Sequence, residues 1–353
     1  MNEQVYRREG KEVRPFSLAA RVKCRGYSRR LQRVMTDFGA DESFGEAVKK
    51  IKEHYGIEVP TSATRNVTQG HGEAMLQGEP ESELGKQGAR LVIAGMDGSM
   101  IPIVRIETDE KGREIKGDKR KHRRLGWEEA RLCVARDPRS VSGHYRATMG
   151  DVKQAGLQLV GCVADAGGGR STKVHCVADG APWIVAQVQE RFQGQANFLV
   201  DFYHVSEYLA AASELLGERK KAFWFKQQQR RLRANQISEV IKELTKLEAI
   251  QKPMLENGTK GSSVTKEQQP ASACKRYLEN RIAYLDYKTT LKAGLPISSG
   301  ETESAHRWVI QARLKIAGAW WKPDSAERML KLRTIRASGD WATYWRSVGQ
   351  AVA

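Results

Sequence analysis

The sequence lacks the long apolar stretches typical of membrane and secreted proteins. It contains no run of about 18 apolar residues, so we expect no transmembrane helix. The N-terminal stretch MNEQVYRREGKEVRP is charged where a signal peptide needs an apolar segment. No basic amphipathic helix with an apolar anchor stands out either. We therefore expect no membrane partner.

Cysteine is scarce and follows no pattern. The five cysteines are odd in number, scattered and without a Cys-x-x-Cys pair: Cys24, Cys133, Cys162, Cys176 and Cys274. A disulfide framework or a zinc module needs patterned cysteines, so neither is predicted. The glycine-rich segment DAGGGRSTK (165–173) lacks the Gly-Lys-Ser/Thr order of a P-loop, which excludes that class of nucleotide hydrolase. We expect a reduced, cytoplasmic protein.

Acidic residues are too few to balance the basic ones. The chain has 59 Lys and Arg against 42 Asp and Glu, which gives a net charge of +17 and a pI near 9.7. Such an excess favours a polyanionic partner, and nucleic acid is the commonest one for a basic protein. We therefore expect association with DNA, and a nucleoid-associated location within the cytoplasm.

The N-terminal part divides into a basic arm and a helical region. Residues 1–35 are strongly basic without a clear period, which fits either a flexible arm or a short helix. Over 36–80, the segment DESFGEAVKKIKEHYG has apolar residues at helical spacing and ends in glycine. A second helix, SATRNVTQGHGEAML, can be capped by Thr61 or Ser62. Two such helices predict a helix-turn-helix-like DNA-binding region, whose second helix would expose side chains to base edges: Thr64, Arg65, Asn66 and Gln69.

The central part has the texture of an α/β domain. The apolar patterns predict, in order, three strands (90–106, 129–136, 143–150), a helix (151–167), a strand (173–180), a helix (182–192), a strand (196–201) and a helix (204–216). The first segment is either a strand pair or one long strand broken near Asp97–Gly98. Three consecutive strands predict an antiparallel meander, and the later alternation predicts parallel pairing. This order is typical of the ribonuclease H-like fold, an α/β fold with a mixed sheet.

The domain limits follow from these patterns. We place the first part of the ribonuclease H-like core at 88–216, after a polar linker. Residues 217–295 are rich in polar helical stretches and form a helical insertion. Residues 296–353 supply C-terminal helices that complete the core.

Acidic residues occur where predicted strands end. Asp97 and Asp179 each follow an apolar strand and precede a glycine, which an ordinary Asp-Gly turn would also explain. Carboxylates gathered at strand ends repel one another unless a cation joins them, and Mg²⁺ prefers oxygen ligands. A third acid is expected from the helix that begins near Gly300. Either Glu301 or Glu303 could serve, and helix capping is the alternative role of both.

The segment LVDFYHVSEYL (199–209) places a carboxylate and an imidazole where a strand gives way to a helix. Asp201 could simply cap the helix, with His204 as the next helical residue. The other interpretation is that Asp201 and His204 border the same site as the strand-end acids. The residues alone leave both interpretations open.

Five motifs together resemble a known family. GMDGSMIPI, RLGWEEARLCVAR, HCVADGAPWI, FLVDFYHVSEYLAAA and GLPISSGETESAHRWVIQARLKIAGAWW, in this order, are similar to the DDE transposases of bacterial insertion sequences. The likeness is greatest to the Kra-type branch, which is related to the Mutator group, and it spans about residue 36 to the end. The last three motifs are long and specific.

The resemblance implies a metal-dependent DDE transposase. Asp97, Asp179 and Glu303 match the three acids, which would bind two Mg²⁺ ions, with Mn²⁺ able to substitute. Glu303 matches the Glu of a Gly-Ser-Gly-x-x-Glu-Ser motif, although this chain begins that motif with Ser298. Asp201 and His204 resemble an Asp-x-x-His signature that implies a supporting role beside the metal site.

The implied reaction is cleavage at the ends of the element and joining of the 3′-OH to target DNA, by two-metal phosphoryl transfer. The partner would be double-stranded DNA, both terminal repeats and target, bound by a homo-oligomer. Polar and basic side chains are predicted to contact this DNA: Arg65, Asn66, Lys119, Arg120, Lys121, Arg123, Arg124, Arg307, Arg313 and Lys315. Solvated surface charge is the alternative for the basic ones. We expect Trp183, Trp320 and Trp321 to pack in the core, and stacking on a flipped base near the cleavage site is the less favoured alternative.

Two other functions fit parts of the sequence. A transposase-derived regulator would bind DNA without cutting it, but all three candidate acids are present. A ribonuclease H-like nuclease or resolvase would share the acids without needing to recognise a defined end sequence. The residues fit a cut-and-paste, replicative or circular route equally.

Overall fold

The structure, a computed structural model, describes residues 4–8, 11–13, 15, 19, 26–79, 83–107, 122–256 and 269–350. The chain forms two compact units. The first unit contains Met1–Glu83, Gly98–Ala166 and Glu303–Ala353, and the second contains Leu84–Asp97 and Gly167–Thr302. No helix in the described part of the chain is both long enough and apolar enough to cross a membrane.

A five-stranded mixed sheet is the main β element, and a short antiparallel hairpin, β1 (Tyr6–Arg8) with β2 (Lys11–Val13), precedes it. The sheet strands are β3 (Leu91–Ile106), β4 (Arg123–Arg136), β5 (His144–Thr148), β6 (Lys173–Ala178) and β7 (Ala196–Val200). Their order is β5-β4-β3-β6-β7, with β4 and β5 antiparallel and β3, β6 and β7 parallel. This open mixed sheet among helices confirms the predicted α/β class and is compatible with a ribonuclease H-like fold.

Helices make up most of the remaining described chain. In chain order they are α1 (Arg29–Asp41), α2 (Phe44–Tyr55), α3 (Thr61–Gln77), α4 (Val152–Asp165), α5 (Pro182–Phe192), α6 (Phe202–Ser213), α7 (Glu218–Arg233), α8 (Ile237–Glu256), α9 (Pro270–Glu279), α10 (Tyr287–Lys292), α11 (Gly300–Ala305), α12 (Ala312–Leu314), α13 (Pro323–Ala337) and α14 (Trp341–Gln350). A π-helical segment, His306–Gln311, joins α11 to α12. The described residues within 217–295 contain helices α7 to α10.

Several predicted boundaries differ from the structure. Segment 90–106 is one continuous strand, and β4 begins at Arg123, earlier than predicted, because its exposed first half lacks the alternation that marks a half-buried strand. Helix α1 starts within the predicted basic arm, capped by Ser28. Helix α3 begins at Thr61 after Pro60, whose side chain has no atom that can accept a backbone N–H, so the predicted cap by Thr61 or Ser62 is wrong. Thr64, expected to be exposed, is fully buried.

Helices α1, α2 and α3 pack around a small apolar cluster in the first unit. Its members are Met35, Ile51, Val59, Ala63 and Val67. Helix α2 ends at Gly56, which adopts a left-handed conformation that glycine tolerates best. Three helices between Arg29 and Gln77 therefore form a compact arrangement.

His71 joins three helices of the first unit from a buried position. Its ring nitrogens lie 3.0 Å from Gln32 Oε1 on α1 and 2.7 Å from the Tyr344 hydroxyl on α14. Removal from water disfavours the imidazolium, and burial lowers the pKa of His71 from 6.5 to about 4. The folded protein therefore keeps this imidazole neutral at pH values where the unfolded chain protonates it.

Acidification is expected to destabilise the protein through His71. Between pH 6.5 and about pH 4 the unfolded chain binds the proton and the folded chain does not. The free energy of unfolding should therefore fall by about 2 kcal/mol between pH 7 and pH 5. Urea unfolding of the wild type and of His71→Gln at both pH values measures this term.

His54→Gln is the control for the acidification experiment, because His54 lies exposed on α2. Burial raises the pKa values of Asp37 and Glu327, so their contribution to stability is present at low pH and is lost as the pH rises. The pH dependence of the free energy of unfolding of His71→Gln is subtracted from that of the wild type, which removes those opposing contributions. Equal pH dependence in wild type and His71→Gln would contradict the prediction.

Candidate active site at the sheet edge

Two aspartates of the second unit lie just beyond the segment over which the parallel strands β3 and β6 pair. Ala94 on β3 pairs with Cys176 on β6, and Asp97 and Asp179 each follow three residues later. Both aspartates are partly exposed, whereas the residues before them on each strand are buried. The two carboxylates therefore share the carboxyl-terminal edge of the parallel pairing, where α/β sheets commonly bind ligands.

The peptide that carries Asp179 is fixed by the helical insertion. The Tyr277 hydroxyl on α9 donates to the Asp179 carbonyl oxygen at 2.5 Å, and Arg281 Nε donates to the Gly180 carbonyl oxygen at 2.9 Å. Asp179 Oδ1 accepts a hydrogen bond from the Ala181 amide. Gly180 has a φ of +76°, and a Cβ there would lie 2.9 Å from Arg281 Nε, so glycine fits this position best.

Asp201 follows β7 in the same way that Asp179 follows β6. Val200 pairs with Ala178, so Asp201 stands beside Asp179 on the next strand. Its carboxylate is 6% exposed and fully engaged. Oδ1 accepts the amides of Tyr203 and His204, and Oδ2 accepts the Ser299 amide and hydroxyl at 2.5 Å each. Asp201 therefore caps α6 and, through its hydrogen bonds with Ser299, fixes the position of the loop before α11.

His204 lies near the same edge without a contact to a candidate acid. Its Nδ1 is 3.5 Å from Glu207 Oε2, and its ring packs edge-on against Tyr277 with centroids 5.7 Å apart. Tyr277 in turn holds the Asp179 peptide. His204 is thus placed to support the residue that fixes Asp179.

The third predicted acid lies in the other unit. Glu303 on α11 keeps 68% of its side chain exposed and forms an ion pair with Arg307 at 2.7 Å, one helical turn away. Glu301, its alternative, is only partly exposed. Within the described residues, no three His, Cys, Asp or Glu side chains come together as a metal-binding group.

Glu129 on β4 is an acid that the sequence did not single out. A Cβ placed on Gly98 would overlap the Glu129 carboxylate, so this side chain lies against the glycine that follows Asp97. Arg131 Nη2 lies 2.5 Å from its other oxygen. No sequence signal marked this contact, because Glu129 belongs to a different strand, far along the chain.

The paired aspartates fit a hard divalent cation. Mg²⁺ is commonly held by one or two carboxylates, with water and substrate phosphate completing its shell. Asp97 and Asp179 supply two partly exposed carboxylates that follow the same β3–β6 pairing. The Asp201 carboxylate already accepts four hydrogen bonds, and it would have to lose some of them to bind a metal ion.

The residues predicted to contact DNA have different environments. Arg65, Arg123 and Arg124 are exposed, Asn66 and Lys315 are partly exposed, and Arg307 is exposed beside Glu303. Arg313 lies in the interior instead of on the surface, because its guanidinium packs over Phe44 and Trp321 and Nε donates to the Gly39 carbonyl. Lys119, Arg120 and Lys121 fall outside the described residues.

The two tryptophans near the C-terminal part of the first unit also differ. Trp321 is buried as expected, with its backbone bonded to β3 through Pro102 and Val104. Trp320 is 42% exposed, so it does not belong to the core.

Comparisons with known proteins add no assignment. No protein-family model matches this sequence, and no curated protein matches it significantly. The chemistry of the site must therefore be argued from its own residues.

Proposed function

We propose that the protein is a metal-dependent DNA transposase. It would cleave the ends of its insertion sequence and join the freed 3′-OH to target DNA. The catalytic acids of this proposal are Asp97, Asp179 and Glu303, with two Mg²⁺ ions, or Mn²⁺ in their place, as cofactor. The supporting residues are Asp201 and His204, acting through the hydrogen bonds and ring contact described above.

The alignment of Asp97 with Asp179 is the observation that carries this proposal. Carboxylates gathered at the end of a parallel pairing repel each other, and a divalent cation held between them would relieve that repulsion. In the sheet order β5-β4-β3-β6-β7, Asp97 lies within β3 and Asp179 directly follows the neighbouring strand β6. Two structural Asp-Gly turns would require neither the shared register nor the fixed Asp179 peptide.

Each residue has a distinct task in the proposed reaction. Bound Mg²⁺ would supply Lewis-acid stabilisation of the charge that develops on the phosphate. Asp97 and Asp179 would bind the cation at the sheet edge. Tyr277 and Arg281 keep the Asp179 peptide in place through their hydrogen bonds. Hydrolysis breaks the P–O3′ bond and leaves a 3′-OH, and attack by that hydroxyl on a target phosphodiester releases a target 3′ oxygen.

The charge of the protein supports a DNA partner. A net charge of +17 favours binding to the phosphate backbone, and the exposed Arg65, Arg123 and Arg124 lie in the first unit, which contains the three-helix region. The proposed partners are the terminal repeats and target DNA, bound by a homo-oligomer within the nucleoid. The same proposal includes recognition of the terminal repeats by the helical region.

Cleavage of an element-end duplex tests the function. The purified protein should nick a duplex that carries the DNA flanking its gene, leave a 3′-OH, and require Mg²⁺ that EDTA removes. Asp179→Asn should abolish cleavage, because the amide cannot supply the charge of a carboxylate ligand. Product ends are mapped on denaturing gels and by extension of the 3′-OH with a polymerase.

Asp151→Asn is the matched control for the cleavage experiment. Asp151 is exposed and caps α4 of the first unit through the Gln154 amide, so its replacement should leave cleavage intact. Tight binding of the end without cleavage by the wild type would favour a DNA-binding regulator instead. Equal cleavage of unrelated branched DNA would favour a nuclease or resolvase.

A further inference from the structure

The first unit contains a pocket that the strand-edge site does not use. Its volume is about 680 Å³, within the range of roughly 300–1,000 Å³ typical of small-ligand pockets. The walls come from α3, from the facing ends of β3 and β4, and from the segment between α12 and α13. The pocket is therefore large enough for one small, flat group together with a phosphate.

All the charged side chains on the walls are basic. Of the fifteen described residues that line the pocket, five are Arg or Lys and none is Asp or Glu: the basic ones are Arg65, Arg123, Arg313, Lys322 and Arg328. Arg328 pairs with Glu73 at 2.6 Å. Among the described residues, Arg65, Arg123 and Lys322 have no acidic side chain within ion-pair distance. The pocket thus has an unbalanced positive charge that an anion would neutralise.

Arg313 adds an independent sign of an anionic ligand. It is 2% exposed, and its Nη2 is buried without an acceptor among the described residues. Burial, together with the nearby Arg333, lowers the pKa of Arg313 to about 10. A buried guanidinium with one nitrogen left unbonded is costly, and an anion in the pocket would reduce that cost.

An exposed aromatic surface borders the charged walls. Trp320 lines the pocket at 42% exposure, and Trp127 from β4, 58% exposed, lies edge-on to it with ring centroids 6.4 Å apart. Exposed indole rings beside basic side chains form the kind of platform on which unpaired bases stack. Asn66 and Gln69 add amide groups that can donate to or accept from a base.

The same walls fit a duplex poorly. A groove-reading helix must protrude from the protein. Here α3 lies against α13: Gln69 Nε2 donates to the Ser325 carbonyl at 3.3 Å, and a Cβ on Gly72 would lie 2.7 Å from the Arg328 carbonyl oxygen. Arg65, Asn66 and Gln69 therefore face a concave space that a single nucleotide can enter more readily than a helix-wide groove can.

We propose that this pocket binds an unpaired nucleotide of a DNA strand. The phosphate would lie against Arg65, Arg123 and Lys322, and the base would stack on Trp320. This inference rests on the proposed function in so far as the substrate is DNA. It adds a preference for DNA with a single-stranded nucleotide, and it changes the role of α3 from reading a groove to lining a nucleotide pocket.

The test compares two DNA duplexes of identical sequence, one fully paired and one with a single unpaired nucleotide. Fluorescence anisotropy in EDTA, which prevents cleavage, should show about tenfold tighter binding of the second by the wild type. A 2-aminopurine at the unpaired position should lose fluorescence as it stacks. Trp320→Ala should remove both the preference and the quenching, and Arg65→Gln should weaken binding of the unpaired duplex.

The control variant is Phe223→Ala, because Phe223 is 72% exposed on α7 in the second unit. It should keep the preference. Thermal unfolding of each variant shows that it is folded, and Trp320→Phe, which retains an aromatic ring, should keep part of the quenching. Equal binding of both duplexes by the wild type, or an unchanged preference in both Trp320→Ala and Arg65→Gln, would overturn the proposal.

Free deoxynucleotide is added as a competitor to distinguish its binding from that of a DNA strand. Competition by free nucleotide as strong as that by the unpaired duplex would overturn the assignment to a DNA strand. Cleavage of the element end in Mg²⁺ is scored on the same preparations. Cleavage without a preference for the unpaired nucleotide overturns the pocket proposal alone, and a preference without cleavage overturns the transposase proposal alone.

Discussion

Replacement of Glu303 by glutamine is expected to slow cleavage of the element end on the order of 10³-fold, since loss of a charged metal ligand removes several kcal/mol of transition-state stabilisation. Glu301→Gln should change the rate only a few-fold. Glu303 is 68% exposed, and its ion pair with Arg307 is a surface contact worth about 0–1 kcal/mol. Arg307 therefore does not hold Glu303 away from a cation.

Single-turnover cleavage rates at saturating Mg²⁺ measure this difference, and Glu129→Gln completes the comparison. Glu129 lies beside Gly98 and pairs with Arg131, so its replacement should leave most of the activity. Loss of cleavage in Glu129→Gln with activity retained in Glu303→Gln would instead place the third acid on β4. Activity retained in all three variants would contradict a three-acid mechanism.

The order of strands and helices in the sheet region was predictable because it depends on local patterns. Apolar alternation and short apolar runs mark β6, β7 and the buried half of β4, and helical periodicity marks α4 and α6. The start of β4 was missed, because its first five residues are exposed and leave no such pattern. Local sequence therefore predicts elements well where one face is buried.

Features that depend on long-range packing were not predictable from local patterns. Arg313 reads as a surface cation, but Phe44, Gly39 and Trp321, which hold it inside, come from three other segments. Tyr277 lies about a hundred residues from the Asp179 peptide that it fixes. The sequence marked Asp97 and Asp179 as candidate acids. That both follow the same parallel pairing, of β3 with β6, could be seen only in the structure.

Asp201 allows the structural and catalytic interpretations to be separated. Asp201→Ala is expected to lower the free energy of unfolding by about 4 kcal/mol. The change removes a cap worth about 1 kcal/mol and leaves partly buried donors without the carboxylate, of which the two on Ser299 cost roughly 1–3 kcal/mol each. These donors are the amides of Tyr203 and His204 and the amide and hydroxyl of Ser299. Denaturant unfolding measures the loss.

Asp151→Ala is the matched control for the Asp201 prediction, because its carboxylate also caps a helix but is exposed and accepts one amide, that of Gln154. Asp151→Ala should lower the free energy of unfolding by about 1 kcal/mol, because only a helix cap is lost. The loss of unfolding free energy in Asp201→Asn should lie between those of the two alanine variants. The amide oxygen can still cap α6, whereas the amide nitrogen cannot accept a hydrogen bond from Ser299. If Asp201→Ala were no less stable than Asp151→Ala but failed to cleave DNA, Asp201 would act in the chemistry and not through the loop before α11.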